Sequence, residues 1–105
     1  MIEYSVLINK DIFFSCSGHA EGDERDKDGN SLICAIVSAI AQTCAAGCGE
    51  YADRYSERAF TAGHLEFICS RNAQTEAITK SAVIGLNEAA RRYPEQVKRG
   101  DVDVS

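Results

Sequence analysis

Two residues in this chain have types and spacing suited to covalent chemistry. His19 and Cys34 stand fifteen positions apart, the first after Gly18 at the end of an alternating segment, the second early in a segment of helical spacing. A cysteine attacks as its thiolate, and a neighbouring imidazole is the usual base that takes its proton. At a helix start, free backbone N–H groups and the positive end of the helix dipole favour negative charge on sulfur. The same N–H groups can receive the negative oxygen of an attacked carbonyl. Residue types alone thus allow a Cys–His hydrolase with Cys34 as nucleophile and His19 as general base, against the plain alternative of a surface histidine and a packed thiol.

The surrounding segments must position that pair. Ile2 to Ile8 alternates, and Ile12 to Ser17 follows a polar turn at Asn9-Lys10-Asp11, which predicts an antiparallel hairpin. After Gly18-His19-Ala20 comes Glu21 to Asn30, with five acids, two bases and two glycines, which reads as a surface loop. Asn30 or Ser31 caps a helix carrying Leu32, Ile33, Ile36, Val37 and Ile40 as its apolar stripe and ending near Gly47 or Gly49. Gly63 to Cys69 reads as a strand with Tyr55 to Phe60 as its partner. A second helix runs from about Ala73 to Arg92, its buried face marked by Ile78, Ala82, Gly85, Leu86, Ala89 and Tyr93, before Pro94. Val97 to Val104 makes an edge strand, so the order is ββαββα(β). The expectation is one α+β domain over residues 1–105, a small antiparallel or mixed sheet with two helices packed on it.

Composition narrows the class. A chain of 105 residues can bury a core without metal or disulfide support. No signal segment or run of about 18 apolar residues stands out, so a cytoplasmic location and no membrane contact are expected. Five cysteines cannot all pair, and in a reducing compartment those other than Cys34 read as small buried hydrophobes. The formal charge of −5 disfavours direct binding to nucleic acid and suits a basic protein or peptide.

The words around the pair go further. Gly18-His19-Ala20, an acidic glycine-containing loop, and Cys34-Ala35-Ile36-Val37-Ser38-Ala39 together closely resemble the ribosomal-processing cysteine protease family, whose pattern is GHA, a loop, then CA-x-x-S at a helix start. The resemblance implies a small α+β homodimer, without cofactor or metal, that removes the N-terminal extension of a precursor large-subunit ribosomal protein, cutting after aromatic residues. It places the catalytic histidine and cysteine on His19 and Cys34 and the helix serine on Ser38, with Gly18 and Ala35 in the same words. Family members often carry Asp three residues before the cysteine, where this chain has Ser31. Ser38 shares the helix face of Cys34, either to hydrogen-bond near the sulfur or simply to permit close packing. Gly22 and Gly29 let the loop hinge, and its acids either meet a basic substrate or merely solvate the loop.

Rival readings use other residues. Glu24-x-Asp26-x-Asp28-Gly29 resembles half of a calcium loop, but Ala35 stands where the bidentate Glu belongs. Cys44 and Cys48 share a helix face, and His64 or Cys69 would complete a zinc site, yet the usual pair has two intervening residues; His64 reads instead as a surface or interface side chain. A non-catalytic binding module for a ribosomal protein or assembly intermediate is the main alternative. A thiol hydrolase acting on a small ester or thioester is the third.

Overall fold

Alternation commits one face of each N-terminal strand to the core. β1 (Ile2–Ile8) buries Ile2, Tyr4, Val6 and Ile8, and β2 (Asp11–Gly18) buries Ile12, Phe14 and Cys16. They pair antiparallel from Ile8↔Ile12 to Ile2↔Gly18 across a turn closed by the Asn9 N–H and the Asp11 carbonyl oxygen, 3.0 Å apart. The computed structural model describes residues 1–20 and 31–104. The expected acidic loop, with Gly22, Gly29 and the calcium-like acids, lies outside the described residues.

The remaining elements are α1 (Leu32–Tyr51), β3 (Tyr55–Thr61), β4 (His64–Ser70), α2 (Ala73–Arg92) and β5 (Val97–Asp103). The sheet order is β3-β4-β2-β1-β5, with β5 parallel to β1 and the other pairs antiparallel. This is the expected α+β order with a mixed sheet. Phe14 and Phe67, both fully buried, stack at 5.2 Å between ring centroids, and Tyr55 lies 5.3 Å from Phe67. Asn72 starts α2 through a reciprocal box, its side chain accepting from the Thr75 N–H and its own N–H donating to Thr75 Oγ1, both at 2.9 Å.

The first helix departs from expectation in three ways. It runs past Gly47 and Gly49 to Tyr51, and the Ala52 N–H closes it on the Cys48 carbonyl oxygen at 2.9 Å. Neither glycine has positive φ. A Cβ on Gly47 would sit 3.2 Å from the Ile78 side chain, so close helix packing rather than termination accounts for it. The buried stripe is Ile33, Val37, Ala41, Cys44, Ala45 and Cys48, whereas Leu32 and Ile36 are exposed. Ile33 and Val37 face the core at the start of the helix, and from Ala41 to Cys48 small residues do, where α1 packs closely on α2. Finally, α1 has the length and apolarity of a membrane span, with mean hydropathy 1.8, contrary to expectation; core helices also meet that test. On α2 the buried face is Thr75, Thr79, Ala82, Val83, Leu86 and Ala89, with Ile78, Gly85 and Tyr93 only half-buried.

Truncating Phe67 to Ala should cost about 3–5 kcal/mol, since the ring has no solvent face and the stack cannot close over the cavity. Urea denaturation measures this, and a loss below about 1 kcal/mol would contradict the packing described.

Candidate active site

The histidine is placed by the way β2 ends. Gly18 has φ 108, and its N–H donates to the Gly63 carbonyl oxygen at 2.9 Å. A Cβ there would overlap the Met1 carbonyl oxygen, so only glycine lets the chain leave the strand at this angle. His19 emerges exposed, its own carbonyl oxygen accepting from the Met1 amino group at 2.6 Å. Gly63, with φ 81, lies between β3 and β4, and a Cβ on it would run into Nε2 and Cε1 of His19. The imidazole therefore lies directly against bare backbone.

The cysteine is placed by the start of α1. Ser31 takes the cap position with φ −71 and ψ 125, and its Oγ accepts from the Cys34 N–H at 3.1 Å. The Ala35 N–H donates to the Ser31 carbonyl oxygen at 3.1 Å. These two N–H groups are therefore engaged within the helix start in the resting protein. Ser31, three residues before the cysteine, uses its hydroxyl oxygen as a helix cap. A different donor reaches the sulfur: the Ala20 N–H lies 3.2 Å from Cys34 Sγ.

One cavity of about 80 Å³ gathers Gly18, His19, Cys34 and Ser38. Ala35 stands exposed one residue beyond the cysteine. Cys16, Phe60 and His64 also line the wall, and the sequence reading places none of them beside the Cys34–His19 pair. His64 keeps a half-exposed side chain, as expected, with Nε2 3.6 Å from Glu66 Oε1. The β2–β4 pairing sets Ser17 opposite His64, which brings the β3–β4 turn to the same end of the sheet as His19. That cross-strand register was the signal for these residues, and it cannot be read from either strand alone.

Cys16 and Cys34 share the cavity but differ in surroundings. Cys16 is buried, and burial, reinforced by nearby Cys34, pushes its thiol up to about 11. It remains protonated near neutrality. Cys34 is half-buried at a helix start with a donor on its sulfur. The other thiols lie in the core. Cys48 Sγ is 3.5 Å from Thr79 Oγ1, and hydrogen bonding to Cys48, with burial, pushes Cys44 and Cys69 well up. Among the described residues no three His, Cys, Asp or Glu side chains are grouped to hold a metal ion.

Comparison with known proteins adds identity to this geometry. The sequence profile of the family described as Cysteine protease Prp matches residues 1–98. None of the curated proteins matches the sequence. The essential ribosomal processing protease Prp of Staphylococcus aureus, solved with a covalently linked product peptide, superposes with a TM-score of 0.76 at 18% identity, covering 98% of this chain and 100% of that one. The protein SMU.848 of Streptococcus mutans superposes with a TM-score of 0.68 at 18% identity, over 97% and 93%. A further S. aureus protein, described as hypothetical, gives 0.64 at 13% identity, over 98% and 100%.

Iodoacetamide at pH 7.5 should label Cys34 in the folded protein and leave Cys16, Cys44, Cys48 and Cys69 unlabelled until denaturant is added. Peptide mapping by mass spectrometry reads the pattern. Native labelling of Cys16 at a rate comparable to Cys34 would overturn the distinction between the two cavity thiols.

Proposed function

The chain belongs to the cysteine protease Prp family, and on that premise we propose that it removes the N-terminal extension of a large-subunit ribosomal protein, with Cys34 as nucleophile and His19 as general base. The observation that carries the assignment of residues is the meeting of Cys34 and His19 in one cavity, with the segment after the histidine bonded to the sulfur. The S. aureus protease is described as a ribosomal processing enzyme and holds a product peptide covalently, which is what a thiolate nucleophile leaves behind.

In this reading His19 takes the proton of Cys34, and the sulfur attacks the scissile carbonyl. The leaving amine departs with that proton, and water activated by His19 hydrolyses the thioester. Gly63 keeps the imidazole against the β3–β4 turn, and Gly18 sets its direction of approach. Phe60, 52% exposed on the cavity wall, offers a flat apolar face to an aromatic substrate side chain. Ser38 lines the same cavity and presents a hydroxyl to the substrate backbone. All five cysteines are free, as a reducing cytoplasm would keep them.

A homodimer belongs to the proposal. α1 carries no charged residue before Glu50, and Leu32, Ile36 and Ile84 are 43%, 43% and 66% exposed. Between the helices runs an apolar groove lined by Ala39, Ile40, Ile78, Ala82 and Gly85. A second copy seated across this face would bury the same patch on both protomers.

Cys34→Ala and His19→Ala should each lower turnover of a precursor peptide by at least about 10³-fold, because the two groups act as one unit. Mass spectrometry of the product reads this beside the wild type. A Cys34→Ala protein cutting at the native rate would exclude the assignment, whereas retained precursor binding without any wild-type cleavage would favour the binding-module alternative. Ile84→Asp should shift the protein to monomer in light scattering coupled to size exclusion, and an unchanged mass would move the proposed interface elsewhere.

A further inference from the structure

An attacked carbonyl needs a hydrogen-bond donor where its oxygen becomes negative, and the N–H groups of Cys34 and Ala35 are already engaged by Ser31. We propose that the backbone N–H of Ala20 is the oxyanion donor of this site, an inference that rests on Cys34 being the nucleophile. In the resting protein this N–H donates to Cys34 Sγ at 3.2 Å. When Sγ bonds to the carbonyl carbon, the π pair of the carbonyl moves onto its oxygen. That oxygen lies two bonds from the sulfur, beside the atom at which the N–H already points. A small rotation of the adduct brings it to the roughly 2.7–3.1 Å that an oxyanion donor requires. The donor thus follows the negative charge from sulfur to oxygen without movement of strand or helix. On collapse the oxygen pair re-forms the carbonyl, the C–N bond breaks, and the amine leaves with the proton His19 accepted from the thiol.

The backbone around this N–H is held on several sides. Ala20 is 1% exposed, so a hydrogen bond from its amide is little weakened by competing water. The preceding carbonyl accepts from the Met1 amino group at 2.6 Å, and the Gly18 N–H donates to Gly63. Among the described residues the titratable groups lining the cavity are Cys16, His19, Cys34 and His64, the last beside Glu66, and α1 has no acid in its first turn. A donor fixed in advance is what transition-state stabilisation requires, because nothing has to reorganise during the reaction. The neighbouring positions of base and donor also give the histidine-alanine pair two roles on one short segment.

The test replaces residue 20 by L-lactic acid, turning the amide between His19 and Ala20 into an ester that lacks the N–H, with circular dichroism to verify folding. Three readouts are compared with the wild type: turnover of a peptide spanning the cleavage site, affinity for N-acetyl-phenylalaninal, and alkylation by iodoacetamide at pH 9. The aldehyde forms a hemithioacetal whose oxygen occupies the oxyanion position, whereas alkylation displaces iodide and forms no oxyanion. The expected result is a kcat lower by about 10²–10³-fold with KM within about threefold. Aldehyde affinity falls at least tenfold and alkylation stays within about threefold. Wild-type kcat and aldehyde affinity in the ester variant would overturn the inference, as would alkylation falling in step with kcat or a wild-type protein that binds no aldehyde. A wild type without peptidase activity whose aldehyde affinity still drops in the ester variant would sink the peptidase reading and support the donor.

Discussion

The turn at Gly18 governs the site. Its φ of 108 and the absence of a Cβ let β2 pass within contact of the Met1 carbonyl and leave the sheet toward α1. The bond from its N–H to Gly63 ties the same point to the β3–β4 turn. From there the imidazole of His19 and the amide of Ala20 reach the cavity on consecutive residues. Any side chain at Gly18 would force the strand end to move, and both groups would move with it.

The helix start supplies the complementary half. Ser31 caps α1 through the Cys34 N–H, so the amide of the cysteine serves the helix while its sulfur serves the cavity. The segment after β2 then provides the sulfur with an N–H from outside the helix. Meanwhile Ile33, Val37 and the smaller residues from Ala41 to Cys48 on α1 join Phe14 and Phe67 of the sheet in one buried core. Leu32 and Ile36 of α1 are left on the outer surface, where the proposed second protomer would cover them.

Much of this was legible along the chain because its causes are local. Alternating residues in β1, the Asn9–Asp11 turn and the periodicity from Ala73 to Arg92 each depend on neighbours in sequence, and those elements lie where they were expected. Gly47 and Gly49 misled for the opposite reason. A glycine near the end of an apolar helix looks like a stop, yet the contact between Gly47 and Ile78 comes from the other helix. The stripe of Leu32 and Ile36 failed similarly: large apolar residues mark a helix, but the distance to the sheet decides whether large or small ones face inward.

For the site, the sequence by itself determined that a histidine ends a strand and a cysteine begins a helix after a short polar segment, because strand alternation and helix capping are written in adjacent residues. Tertiary structure alone decided that Cys16, Phe60 and His64 border the same cavity, that Gly63 backs the imidazole, and that the Ala20 amide meets the sulfur. These contacts depend on the register of β2 against β4 and on how closely α1 approaches the strand end. Both are settled by packing of the whole core, and neither leaves a periodic trace in the segment concerned.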